Sequence, residues 1–169
     1  MDWVDSCRDR ISATAQRHNI TARDFATTVV MIVTDGKDSL VLHIGDGAIV
    51  GRDRASCGWM ALSWPENGEY ASTTYFLTDE AGPRARIGRF QHDVDRIAVF
   101  TDGIERLALD LAAAVPHEPF FRNISEPVAQ SKTKWLDYGL SRKLGDYLCS
   151  DAINARTDDD KTLILAALG

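Results

Sequence analysis

A chain of 169 residues can fold as one domain with a substantial core, and 44% hydrophobic with 26% charged residues is the composition of a soluble globular protein. A formal net charge of −6 and a pI near 5.1 argue against a nucleic-acid or anionic-membrane surface, which needs clustered Lys and Arg. The three cysteines, Cys7, Cys57 and Cys149, are odd in number and widely spaced, so no disulfide framework is expected and a reducing cytoplasm fits best.

Met1 is followed by acidic residues rather than a basic region and an apolar run, so no signal peptide is expected. Residues 3 to 18 carry Trp3, Cys7 and Ile11 at four-residue spacing, which predicts an amphipathic helix. Phe25 to Thr34 and Ser39 to Ile44 are rich in Val, Ile and Thr, and Asp35-Gly36 between them predicts a hairpin. Even Val29 to Val33, among the longest apolar runs, is too short to cross a bilayer.

Ala48 to Arg52 and Gly58 to Trp64 read as the next pair of strands, and Pro65 to Ser72 as a loop. Thr73 to Thr78 and Arg96 to Thr101 read as further strands. Ile104 to Ala114 has helical periodicity, and Pro116, Pro119 and Pro127 predict an irregular excursion after it. Leu136, Leu140, Leu144 and Leu148 then predict an amphipathic helix over Thr133 to Cys149. The final apolar run, Thr162 to Ala167, has the length of a buried strand. Strands, then helices, then a returning strand predict an α+β sandwich in a single domain spanning residues 1–169.

Three acidic positions carry candidate chemistry. Asp102 ends the run Arg96 to Thr101 and precedes Gly103; a carboxylate there either caps the next helix or ligates at the strand rim. Glu105, three residues on, completes a capping box or serves as an outer partner of a metal. Asp158, Asp159 and Asp160 repel one another, so they form either a solvated acidic turn or a site where a divalent ion relieves the repulsion. Asp46 stands between Gly45 and Gly47, as suits a tight turn or a ligand approached closely by backbone. Asp35-Gly36 follows hairpin logic alone. The four histidines have no ligand spacing, and no Gly-x-Ser-x-Gly elbow or phosphate-cradling Gly-x-x-x-x-Gly-Lys loop occurs. An oxygen-only donor set points to magnesium or manganese.

Phe25-Ala26-Thr27-Thr28, His43-Ile44-Gly45-Asp46-Gly47-Ala48, Val99-Phe100-Thr101-Asp102-Gly103 and Thr157-Asp158-Asp159-Asp160-Lys161-Thr162 occur in an order that resembles the metal-dependent protein phosphatases of type 2C. Trp64-Pro65-Glu66-Asn67-Gly68-Glu69-Tyr70 and Thr74-Tyr75-Phe76-Leu77-Thr78-Asp79 are similar to the bacterial branch. The likeness runs from Asp24 to Ala167. It implies two antiparallel β-sheets packed as a sandwich flanked by helices, with a two-metal centre at one edge. By the same resemblance Asp102 and Asp159 match catalytic metal ligands and Asp46 a third, weaker metal position. A water activated by magnesium or manganese would then attack phosphoserine or phosphothreonine in a phosphoprotein substrate.

The family's upstream Asp-Gly-x-Gly strand, which supplies the bridging aspartate, has no match here. Two expectations follow from that departure. The chain is either the later part of a serine/threonine phosphatase, weak in metal binding and activity by itself, or a non-catalytic domain that binds a protein partner. An apolar sheet edge should lie open where the first strands would pair, unless a second copy of the chain covers it.

Overall fold

The computed structural model describes residues 2–66 and 74–168. Helix α1 (Asp2–His18) turns Val4, Cys7 and Ile11 inward, while Trp3, expected on that face, points to solvent. A short 3-10 turn at Ala22–Phe25 delays the first strand, so β1 runs Val29–Thr34 and pairs antiparallel with β2 (Asp38–Ile44). Their connection is the hairpin read from Asp35-Gly36. The Asp35 carboxylate accepts the N–H groups of Lys37 (2.9 Å) and Asp38 (2.8 Å), and Gly36 takes φ +95°. Strands β3 (Ala48–Asp53) and β4 (Trp59–Ser63) form the second hairpin. Strands β5 (Arg86–Gln91), β6 (Val94–Phe100) and a short helix α2 (Glu105–Ala108) follow. Next come the small hairpin β7 (Leu109–Asp110) and β8 (Val115–Pro116), and helices α3 (Glu118–Gln130), α4 (Tyr138–Leu148) and α5 (Asp151–Asn154). Strand β9 (Leu163–Ala167) is the last element among the described residues.

The strands build a sheet in the order β1-β2-β5 and another in the order β4-β3-β6-β9, every pairing antiparallel. Alternation along the strands sends one set of side chains between the sheets. Val41 and Phe90 from the first sheet meet Ile49, Leu62, Val94 and Ile97 from the second in a single cluster. The outer face of the first sheet packs Leu42 and Ile44 against α1. The outer face of the second packs Ala48, Val50, Ala98 and Phe100 against Phe121, Leu148 and Ile153 of the helices. The result is the expected α+β sandwich, with α4 on an outer face. Buried Arg96 of β6 clamps α3 by donating to Ser125 Oγ (3.0 Å) and pairing with Glu126 (2.8 Å).

Four local expectations are corrected. Thr74 to Thr78 is not a strand, because Phe76 N–H turns back to the Asp79 carboxylate (2.9 Å) and Leu77 N–H goes to Thr27 O (2.8 Å); Thr73 and the loop from Asn67 lie outside the described residues. The helix read over Ile104 to Ala114 ends at Ala108. Asp110 accepts the N–H groups of Ala112 and Ala113 and bends the chain into the β7–β8 hairpin. The proline-rich excursion is helix α3. Pro119 sits in its first turn, where the missing N–H is harmless, and the helix passes through Pro127 on the strength of its packed face. Helix α4 begins at Tyr138 rather than Thr133, because Asp137 caps it by accepting Leu140 N–H (3.0 Å).

Strand β5 was not anticipated. Its inward residues are Arg86, Gly88 and Phe90, while Ile87 points outward, so its hydropathy alternation runs against its burial. Strand β1 lies at a sheet edge, and Val33, Leu40 and Ile87 are exposed on the outer face beyond the reach of α1. None of the described helices is long and apolar enough to cross a membrane.

The aromatic contact that fixes α3 to the second sheet yields a stability prediction. Phe121 is fully buried and meets Trp59 at 4.9 Å, Phe120 at 5.2 Å and Phe100 at 5.8 Å between ring centroids. Phe121→Ala should lower unfolding stability by about 3–5 kcal/mol, read as a lower urea midpoint at unchanged slope.

Candidate metal centre

Register decides which turns meet. Ala48 of β3 pairs with Phe100 of β6, and Phe100 pairs with Leu163 of β9. The start of β3, the end of β6 and the start of β9 therefore share one end of the second sheet. Asp46 precedes β3, Asp102 follows β6 and Asp158–Asp160 precede β9, so strand pairing alone delivers all three acidic segments to that end. Asp35 goes to the other: Gly36 O accepts Val94 N–H (2.8 Å) at the beginning of β6, in keeping with its reading as a turn residue.

Close backbone approach locks the segments together. Thr101 N–H donates to Thr162 O (3.2 Å), and Thr162 N–H donates to Thr101 Oγ1 (3.0 Å). A Cβ on Gly103 would sit 2.0 Å from Asp160 O, and one on Gly47 would sit 2.7 Å from Phe100 O. Only glycine lets these strands of backbone touch. Gly45 adopts φ +109°, and a Cβ there would sit 2.4 Å from Thr28 Cγ2, so the residue before Asp46 must also be glycine.

The two readings of Asp102 now separate. Thr101, not Asp102, occupies the N-cap position of the 3-10 turn Asp102–Ile104, no side chain caps that turn, and none caps α2. The Asp102 carboxyl is raised above the ordinary carboxylate range, first by partial burial and then by the negative charges of Asp46 and Asp159. Glu105 is raised by burial and then by Asp102 and Asp46, and its Oε1 is buried without a hydrogen-bond partner among the described residues. Asp46 Oδ2 accepts the Thr74 hydroxyl at 2.5 Å. Asp159 is exposed, with Oδ1 accepting Asp160 N–H (3.2 Å) and its carbonyl accepting Lys161 Nζ (3.0 Å).

Like charges held together, oxygen donors only and an orphaned buried carboxylate oxygen suit a hard divalent cation in chemistry. In number the set falls short: among the described residues no group of three or more His, Cys, Asp or Glu is gathered to hold a metal ion. The sequence reading had named Asp46, Asp102, Asp159 and Glu105. It missed a buried polar contact that feels the charge of Asp46. Fully buried His43, at the end of β2, receives Arg86 Nη2–H at Nδ1 (2.9 Å) and lies 2.6 Å from Ser63 Oγ. Arg86 also donates to Trp64 O (2.7 Å) and pairs with Glu66 (3.0 Å), tying β5 to the end of β4. A basic residue at an inward position of a short alternating run was the one available signal for this contact.

The family model of protein phosphatase 2C matches residues 1–149. Serine/threonine-protein phosphatase 3 of Escherichia coli (strain K12) is 39% identical over 166 residues, covering 98% of this chain and 64% of that protein. The chain thus spans about two thirds of the length of the curated relative it matches, at 64%. Among solved structures, serine/threonine phosphatase Stp1 from Staphylococcus aureus superposes with a TM-score of 0.61 at 16% identity, over 98% of this chain and 65% of that one. PppA of Pseudomonas aeruginosa does so at 0.60 and 13%, over 97% and 66%. At these identities the structural likeness speaks for the fold.

Two outcomes test the site's electrostatics. Asp102→Asn removes one of the mutually repelling carboxylates, so without added metal it should hold or raise Tm, by no more than ~3 °C, the shift that about 1 kcal/mol gives in a chain this size; any Tm gain on adding manganese should shrink. Burial, then the Arg86 charge, holds His43 down to about 4, below its unfolded value near 6.5. The stability from keeping His43 neutral is therefore complete above about pH 6.5 and is lost as pH falls toward 4. Urea unfolding across that window should lose on the order of 1–3 kcal/mol, and His43→Gln should flatten the slope.

Proposed function

The chain belongs to the protein phosphatase 2C family, and from that premise we propose that it forms part of a metal-dependent serine/threonine protein phosphatase acting on phosphoserine or phosphothreonine in a phosphoprotein. One observation supports this reading above the others: Asp46, Asp102 and Asp159 come to the same sheet end, where burial first and then the charges of Asp46 and Asp159 raise the Asp102 carboxyl. Asp102, Asp159 and Asp46 would hold Mg2+ or Mn2+. When bound, such a cation supplies an activated water and offsets the charge on phosphoryl oxygens.

The chain's own residues prepare the site. Gly103 and Thr101 pin the Asp102 turn to the segment before β9, so these carboxylates keep their relative places. The Thr74 hydroxyl orients Asp46, and Glu105 Oε1 stands as an acceptor for an incoming donor. Free Cys7, Cys57 and Cys149 agree with a cytoplasmic setting. The uncharged edge strand β1 offers its backbone to a second copy of the chain, which would bury Val33.

A second reading has its own support. Without three gathered ligands among the described residues, and without a match to the Asp-Gly-x-Gly strand, the chain by itself suits a non-catalytic domain that binds a protein partner. Phosphate release from a phosphothreonine peptide with manganese separates the two. This chain alone should release little or none. Fused to the part of a type 2C phosphatase that carries the Asp-Gly-x-Gly strand, it should become active, and Asp102→Asn in the fusion should abolish that activity. Inactivity of the fusion would favour the partner-binding reading, and full activity of the chain alone would discard the incomplete-site argument.

A further inference from the structure

The loop between α3 and α4 presents its largest side chain to water. Trp135 is 99% exposed and adopts φ +68°, a backbone region that bulky residues rarely occupy, and Leu136 and Tyr138 beside it are exposed as well. The loop around them is built rather than loose. Ser131 Oγ donates to Asp137 Oδ2 (2.8 Å), Thr133 N–H donates to Ser131 Oγ (3.1 Å), and Leu140 N–H donates to Asp137 Oδ1 (3.0 Å). These bonds order the chain on both sides of Trp135, and its indole stays in solvent.

Charge at this corner opposes that of the whole chain. Ser131 to Lys143 holds Lys132, Lys134, Arg142 and Lys143 against a single carboxylate, Asp137, in a protein of net charge −6. All four cations are exposed, and none pairs with a carboxylate among the described residues. Asp137 is already engaged by the loop's own hydrogen bonds.

We propose that the Trp135 corner is a docking surface for a short acidic segment of a partner protein, with an apolar side chain that covers the indole. Aromatic anchors flanked by cations have the composition of interface hot spots. The net charge of the remainder selects the occupant. Fields at physiological salt reach only about 8 Å, so a short acidic segment meets the local cations alone. A bilayer or a nucleic-acid duplex extends past the corner and meets the acidic remainder.

The corner is remote from the carboxylates. Phe121 of α3 lies on Phe100, whereas Ser125 and Glu126 hold Arg96, so α3 runs away from Asp102 along β6. Four strand steps at about 3.3 Å each put Arg96 about 13 Å from Phe100, after which the chain turns at Asp102, and the loop begins beyond Arg96. Docking here recruits a partner and takes no part in chemistry, so it stands apart from the phosphatase reading.

The test titrates the full chain with a labelled synthetic peptide of Asp, Glu, Leu and Phe, read by anisotropy and by tryptophan emission. Saturable binding with a blue shift is expected, weakening as salt rises. Trp135→Ala should weaken it at least tenfold and remove the shift, and Lys132→Glu with Lys134→Glu should weaken it further as salt dependence falls. Unfolding of Trp135→Ala should match the parent, because the side chain touches nothing buried. No saturable binding at millimolar peptide, unchanged binding by Trp135→Ala, or a blue shift with phosphatidylserine vesicles or single-stranded DNA in place of the peptide would overturn the proposal.

Discussion

The antiparallel register of β3, β6 and β9 is the constraint on which the rest of the molecule depends. Because Ala48 lies opposite Phe100 and Phe100 opposite Leu163, the segments before, after and before these strands open at the same end. A one-residue slip would exchange the buried and exposed faces of a strand and turn Ala98 and Phe100 away from the helices that cover them. The apolar cluster around Phe121 thus sets the register, and the register sets the positions of Asp46, Asp102 and Asp159. Fold stability and site geometry have a common cause here, although no core residue carries a charge toward the site.

Glycine completes what pairing begins. Backbone at Gly103 and Gly47 approaches its neighbours more closely than any side chain would allow, so the acidic turns are held by main chain rather than by ion pairs. Among the described residues no salt bridge is made to Asp46, Asp102, Glu105 or Asp159. Asp102 and Glu105 both feel partial burial and like charge, and Glu105 Oε1 has no donor. Proteins keep such an arrangement where a ligand relieves it. Along the strands of the same fold several charges are paired locally: Arg52 with Asp95, Arg96 with Glu126, and Arg89 with Asp38. That contrast makes the open end of the sandwich chemically distinct from its surface. The Escherichia coli relative is longer than this chain, which covers 64% of it.

Much of this was legible in the sequence because local physics and tertiary structure agree. The Asp35-Gly36 hairpin, the run Arg96 to Thr101 as the body of central strand β6, and the later part of the Leu136, Leu140, Leu144 and Leu148 repeat as the packed face of α4 are fixed by patterns a few residues long. The acidic motifs were legible for the same reason: Asp46 and Asp102 sit beside glycines at the ends of apolar runs, and Asp158 to Asp160 stand just before one. Where local preference and tertiary packing conflict, packing won. Pro127 lies inside α3 because Phe121 and Ser125 hold the helix to the sheet, and Ile104 to Ala114 breaks because Asp110 claims two backbone N–H groups for a turn. Strand β5 turns Arg86 inward and leaves Ile87 exposed, since the half-buried guanidinium finds Trp64 O and His43 while Ile87 finds nothing to cover it. The sequence by itself determined which residues could ligate and which segments could be strands, because those depend on side-chain chemistry and short-range periodicity. Only the tertiary structure decided that Asp46 and Asp159, more than a hundred residues apart, act on the same Asp102 carboxyl, because that proximity is a property of strand register and not of any local run.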